Sequence, residues 1–150
     1  MNFYRKKVAG IVTNGQGEFL VVQLVNYGKD DWNIPGGGVE SGETEETTLL
    51  REFKEELGID EFEILKKGKN ASTYNWPFRL IIKNIFKYKR IWIGQSVRHF
   101  LVSFNGKEAD IKPAPDEVRK IKWIKRSEFK DYLKFPNQLE TIENELKGFR

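Results

Sequence analysis

No cysteine occurs among the 150 residues. Disulfides and thiolate metal sites are excluded, and nothing argues for an oxidising compartment. The one histidine, His99, reads as a strand residue that packs or donates to a neighbour. No apolar run approaches the length needed to span a bilayer. The opening "MNFYRKKVAG" is charged but is followed by no apolar core, so it does not read as a secretory leader. A cytoplasmic location follows by elimination. No repeat, low-complexity tract or Pro/Ser/Gly-rich linker divides the chain, so residues 1–150 read as a single domain able to bury a substantial core.

Basic residues are plentiful. Lys and Arg number 26 against 22 Asp and Glu, for a formal charge of +4, which suggests anionic partners. The clusters "KKGK" (66–69), "KYKR" (87–90) and "RKIKWIKR" (119–126) fit either a solvated surface or a phosphate-rich ligand, and composition does not choose between them. Against this background one stretch is acidic. From Gly36 to Ile59, "GGGVESGETEETTLLREFKEELGI" carries seven glutamates: Glu40, Glu43, Glu45, Glu46, Glu52, Glu55 and Glu56.

The runs "VAGIVT" and "EFLVVQLV" flank the turn signal "NGQG" and predict a hairpin. "KDDWNIPGGG" reads as a loop. A helix is expected from roughly Thr44 to Leu57, with Thr44 as N-cap, Glu45 and Glu46 at the positive end of the dipole, and Gly58 as its stop. "FRLIIKNIF", "VRHFLVSF" and "IKWI" read as further strands. "NQLETIENELKGF" places Leu139, Ile142 and Leu146 on one face of a terminal helix. The order of strands, helix, strands, helix implies a sheet with helices packed on it.

The acidic helix has an informative geometry. With Glu52 at zero and about 100° per residue, Glu56 lies at about +40° and Glu55 at about −60°. Leu49, Phe53, Leu57 and Leu50 span about +60° to +160°. A stripe of three carboxylates therefore runs beside the apolar docking face, with Arg51 the adjacent cation. Like charges at this spacing weaken a helix. A solvated acidic face explains the arrangement poorly, and a bound divalent cation explains it well. Mg²⁺ takes one or two carboxylates together with water and phosphate oxygens, which implies a phosphate-bearing substrate.

Gly37, Glu43 and then "REFKEELGI" resemble the signature of the Nudix hydrolases at every fixed position: Gly37, Glu43, Arg51, Glu52, Phe53, Glu55, Glu56, Gly58 and Ile59. The resemblance implies an α/β (α+β) fold, an α/β/α sandwich around a central mixed β-sheet. It also implies Mg²⁺-dependent hydrolysis of a phosphoanhydride, with Mn²⁺ a possible substitute. Carried over by position, Glu52, Glu55 and Glu56 would be metal ligands, and a backbone carbonyl of Gly36 or Gly37 would complete the shell. Arg51 would hold a glutamate in place, and Glu43 would support the loop or reach a metal through water. Glu56, or a glutamate from a later loop, would take a proton from the attacking water.

"YRKKVAGIV", "WNIPGGG", "STYNWPFRL", "IWIGQ" before "VRHFLVSF", and "PAPDEVRKIKWI" stand in an order similar to that of the RNA 5′-pyrophosphohydrolases and dinucleoside polyphosphate hydrolases. That likeness implies that Arg5 contacts phosphate or base and that Tyr74 lines the nucleotide site, beside Gly37 and Gly38. It makes Glu117 the late-loop metal ligand or base and Phe135 a ring stacked on a base. Arg5 as a surface residue, and Tyr74 and Phe135 as core or rim aromatics, are the competing readings. Asp116 adjoins Glu117, so the assignment can slip by one. Gly36 stands where that subgroup commonly carries glutamine. The expected partner is a nucleotide polyphosphate or the 5′ end of RNA, with no membrane and no obligatory protein partner. The alternatives are a nucleoside triphosphate or ADP-ribose-type pyrophosphatase, and a non-catalytic nucleotide- or RNA-binding module.

Overall fold

The computed structural model describes residues 3–149. Its elements are β1 (Tyr4–Thr13), β2 (Glu18–Leu24), β3 (Gly36–Gly38), α1 (Glu45–Leu57), β4 (Glu63–Lys67), β5 (Ser72–Asn75), α2 (Phe78–Tyr88), β6 (Gly94–Ser103), β7 (Val118–Lys125), α3 (Phe129–Tyr132) and α4 (Gln138–Gly148). The hairpin joining β1 and β2 forms because Asn14 Oδ1 accepts the amides of Gln16 and Glu18, and Gly17 takes the left-handed backbone that the turn needs.

The strand order is β4-β6-β1-β2-β7, with β3 paired to β1 and β5 paired to β6. β1 and β6 run parallel over ten residue pairs while the other pairings are antiparallel, so the sheet is mixed. Strand alternation sends one set of side chains to each face. Val8, Val12, Leu20, Val22, Phe100 and Val102 meet Leu49, Phe53 and Leu57 of α1. Ile11, Val21 and Ile124 meet Phe129 and Leu133, and Ile142 and Leu146 of α4. These two cores make the expected helix–sheet–helix sandwich. Among the described residues, no helix is long and apolar enough to cross a membrane.

Helix α1 starts where its capping chemistry places it. The Thr44 hydroxyl accepts the Thr47 amide at 3.1 Å, and the Thr47 hydroxyl accepts the Thr44 amide at 2.9 Å. Gly58 ends the helix at φ 65°. Leu50 is 47% exposed, so the docking stripe is narrower than expected and consists of Leu49, Phe53 and Leu57.

Two other expectations change. "FRLIIKNIF" is not a strand but lies in α2, following Pro77. Its β-branched composition suggested a strand, yet Leu80, Ile81, Asn84, Ile85 and Tyr88 are the positions it turns inward, a helical spacing. The loop "KDDWNIPGGG" ends in β3, in register with β1 through Lys7↔Gly38, Val8↔Gly37 and Ala9↔Gly36. Only a residue without a side chain can lie there: a Cβ on Gly36 would sit 2.1 Å from the Val8 carbonyl oxygen.

Candidate active site

The site is built around β3. A Cβ on Gly37 would lie 2.1 Å from Cδ of Glu52, and one on Gly38 would lie 2.4 Å from Nη2 of Arg5. The glycine strand therefore carries the Glu52 carboxyl against one residue and the Arg5 guanidinium against the next.

Arg51 fastens the loop to the helix. Its Nε and Nη2 donate to the two carboxylate oxygens of Glu43 at 2.6 and 3.0 Å, and Nη2 also donates to the Gly38 carbonyl at 2.9 Å. Nη1 donates to Glu52 at 3.0 Å and to Glu55 at 3.2 Å. Glu43 further accepts the Glu40 amide at 2.8 Å and the Thr48 hydroxyl at 3.1 Å. The Arg51 bonds, with that amide, hold the Glu43 carboxyl down to about 2. Its oxygens are thus engaged in holding the loop.

Glu56 is in the opposite situation. It is 8% exposed, and its Oε2 has no hydrogen-bond partner among the described residues. Burial, then the neighbouring Glu52 and Glu117, raise this carboxyl to about 8, against the pull of Lys7 and the Gly36 amide. Glu52 is also raised, by burial first, with Glu55 and Glu117 adding to it and Arg51 opposing. Lys7 is lowered by burial and by Arg5, while Glu56 and Glu52 pull it the other way.

Glu117 reaches this cluster because the late loop is tied to the end of α1. The Lys112 amide donates to Leu57 O at 2.8 Å and the Ala114 amide to Glu56 O at 2.9 Å; the Glu117 amide then closes a turn on Ala114 O at 3.0 Å. Glu117 is the late-loop carboxylate that raises both Glu52 and Glu56. Glu55 stands apart, with its side chain 52% exposed and drawn to Arg51. Among the described residues no three acidic or histidine side chains close into a ready-made cage. An orphaned, buried carboxyl oxygen beside two more carboxyls, with backbone glycines close by, is nevertheless a hard-oxygen donor set that fits a divalent cation sharing its shell with water and phosphate.

The other expected residues fall into two groups. Tyr74 pairs with Gln95, and Gln95 with Arg5, so these three lie in one row across β5, β6 and β1 and point to one face. The Arg5 guanidinium packs 4.9 Å from the centre of the Tyr88 ring and 5.8 Å from that of Trp92. Phe135 lies edge-on to Tyr27 at 5.5 Å. Its amide donates to Gln138 Oε1 at 3.3 Å, and Gln138 Nε2 donates to Asn33 at 2.6 Å, which ties the Phe135 turn to the glycine loop. Glu56 is among the charges that raise the Tyr27 hydroxyl, after its burial, so this aromatic pair lies within electrostatic reach of the carboxyl cluster. His99 is buried, with Nδ1 3.7 Å from Glu145, and burial lowers it to about 4, away from the site chemistry.

Four residues near the site were not anticipated: Lys7, Tyr27, Tyr88 and Trp92. Lys7 was within reach of the sequence, because it lies two residues beyond Arg5 on one strand and so shares its face. Tyr88 and Trp92 meet Arg5 only because α2 folds as a helix.

Residues 3–144 match the model of the NUDIX domain. The chain is 37% identical over 110 residues to the RNA pyrophosphohydrolase of Yersinia enterocolitica, covering 72% of this chain and 60% of that protein. It is 33% identical over 122 residues to the RNA pyrophosphohydrolase of Roseobacter denitrificans, covering 80% and 74%. The structure superposes on the E. coli dihydroneopterin triphosphate pyrophosphohydrolase with a TM-score of 0.74 at 18% identity, over 98% and 99% of the two chains. It superposes on a C. elegans Ap4A hydrolase with a TM-score of 0.62 at 23% identity, over 95% and 98%. Those two likenesses establish the fold, and the match over residues 3–144 establishes the lineage: the chain belongs to the NUDIX domain family.

Proposed function

We propose that this chain is a divalent-metal-dependent pyrophosphohydrolase that cleaves a phosphoanhydride bond at the 5′-triphosphate end of RNA, with dinucleoside polyphosphates as chemically related substrates. The observation that carries the proposal is Glu56: a buried carboxyl whose Oε2 has no donor among the described residues, next to Glu52 and Glu117. Such a cluster is unfavourable on its own and is relieved by a hard cation. The relatives named RNA pyrophosphohydrolase support the substrate class.

In this reading Glu52, Glu56 and Glu117, with a backbone carbonyl of Gly36 or Gly37, hold Mg²⁺, for which Mn²⁺ can substitute, and Glu55 completes the acidic side. A bound divalent cation neutralises pyrophosphate charge and lowers the pKa of its water. Arg51 keeps Glu52 and the glycine loop in position through the bonds described above. Glu56 or Glu117 accepts the proton of the water that attacks phosphorus. Arg5 and Lys7 bring positive charge to the substrate phosphates, Tyr74 lines the nucleotide site, and Phe135 with Tyr27 receives a base. Action on RNA ends implies a cytoplasmic protein.

The test is a substrate panel run with Mg²⁺ and with Mn²⁺: triphosphorylated RNA, diadenosine tetraphosphate, nucleoside triphosphates and ADP-ribose. The expected result is the highest kcat/KM on RNA or the dinucleotide. Preference for ADP-ribose or for nucleoside triphosphates would move the chain to another branch, and no metal-dependent turnover on any of them would make it a binding module.

A further inference from the structure

Helix α2 takes no part in the chemistry proposed above, and it has an unusual surface. From Ile64 to Lys107 there is no aspartate or glutamate, while ten residues are Lys or Arg. Helix α2 lies in the middle of this stretch. With Phe78 at zero and about 100° per residue, the inward positions Leu80, Asn84, Tyr88, Ile81 and Ile85 span about 200° to 340°. The outward half divides in two. Phe78, Ile82 and Phe86 form a stripe from about 0° to 80°, and Arg79, Lys83 and Lys87 form a second stripe from about 100° to 180°. Phe78 is 76% and Phe86 81% exposed, which is a large cost for two phenylalanines on one short helix unless something covers them.

The surface is continuous with the site. Lys87 Nζ lies 5.1 Å from the centre of the Tyr88 ring, and Arg5 packs on the same ring at 4.9 Å. Arg5 packs next on Trp92, whose ring also takes Arg90 at 6.0 Å. Alternating cations and rings thus lead from α2 to Arg5, and Arg5 lies against Gly38.

We propose that the outward half of α2 is a docking surface for the single-stranded RNA chain that follows the 5′-terminal nucleotides, with Phe78 and Phe86 stacking on bases and Lys83 and Lys87 meeting phosphates. This inference rests on the RNA reading above and extends it. A row of aromatic side chains beside a row of cations is the chemistry of sequence-tolerant single-strand binding. A basic amphipathic helix can also lie on an anionic membrane. The connection through Tyr88 and Trp92 to Arg5 favours RNA, because a chain held at its 5′ end beside Gly38 must leave along some surface, whereas membrane docking gives no reason for that continuity.

The test is fluorescence anisotropy with a 5′-hydroxyl single-stranded RNA of about 15 nucleotides, alongside turnover on a triphosphorylated dinucleotide and on a long triphosphorylated RNA. Two variants are used: Phe78→Ser with Phe86→Ser, and Lys83→Gln with Lys87→Gln. All four side chains are exposed, so thermal melting should be unchanged. The ring variant should weaken binding of the hydroxyl RNA by about tenfold or more. The lysine variant should flatten the salt dependence, with the slope of log K against log salt falling by about 0.7 for each phosphate no longer neutralised. Both should lower kcat/KM on the long RNA and leave the dinucleotide unaffected. Unchanged RNA binding in both variants overturns the proposal, as does loss of binding to phosphatidylglycerol vesicles with RNA binding intact. The hydroxyl RNA is not a substrate, so its variant-sensitive binding supports the docking surface even if the panel finds no RNA hydrolysis. Hydrolysis of triphosphorylated RNA with binding unchanged in both variants overturns the docking surface alone.

Discussion

Replacing Glu56 with glutamine separates the chemistry of this carboxyl from its cost. The glutamine keeps the shape and retains an oxygen for the Gly36 amide, but it cannot ionise. In the metal-free protein the Glu56 carboxyl sits at about 8 instead of the ordinary 4.5. A raised folded-state value contributes stability that is fully present below the unfolded value and is lost as pH rises through the folded one. At pH 4 wild type and Glu56→Gln should therefore be about equally stable, since both side chains are neutral. At pH 6 the unfolded glutamate has ionised and must take up a proton to fold, so the variant should be more stable by about 2 kcal/mol. Near pH 9 the folded carboxyl ionises as well, and the advantage levels off at up to about 4–5 kcal/mol. Each kcal/mol is worth about 2–4 °C of Tm in a chain of this size, so thermal melts in chelator from pH 4 to 9 measure the effect directly. Adding Mg²⁺ or Mn²⁺ should reverse the order at high pH, because wild type gains stability by mass action and the variant gains little. Turnover of Glu56→Gln should fall on the order of 10²-fold or more. A stability difference independent of pH, or a variant less stable than wild type at pH 9 in chelator, would show that burial of an ionisable Glu56 is not what sets its cost.

Gly37→Ala and Gly36→Ala should differ in kind. The new Cβ at Gly37 meets the Glu52 carboxyl, a side chain that can turn away, so the fold should survive while Mn²⁺ affinity, read by titration calorimetry, drops. The Cβ at Gly36 meets the Val8 carbonyl, which cannot move without parting β3 from β1, so Tm should fall by several degrees. Glu117→Gln should depress kcat on the order of 10²-fold and Asp116→Asn only a few-fold; the reverse ranking would shift the late-loop assignment by one residue. Phe135→Ala should raise KM by the loss of about 1–3 kcal/mol of stacking and leave kcat nearly unchanged, and an unaffected KM would remove Phe135 from the base site.

Features that depend on local spacing were legible in the sequence. The signature from Gly37 to Ile59, the Thr44 cap, the Gly58 stop and the inward stripe Leu49–Phe53–Leu57 are all set by residues within a few turns of one another, and each is where the chain implied. The α4 face was legible for the same reason: Ile142 and Leu146 are buried at helical spacing. "FRLIIKNIF" failed because a short run of β-branched and aromatic residues is compatible with either period, and only the packing of Leu80, Ile81, Asn84 and Ile85 chose the helix. The stripe of Glu52, Glu55 and Glu56 was visible, and the family resemblance set Glu43 apart as a support for the loop, but the surroundings of each carboxyl were not legible. Tertiary structure made these four glutamates different in burial and in partners. Arg51 engages Glu43 and draws Glu55 outward, while β3 and the late loop bury Glu56 and leave its Oε2 without a partner among the described residues. Burial and the arrival of charges from distant segments set those differences. Both are long-range quantities, fixed only once β1, β3, α1 and the loop before β7 have come together.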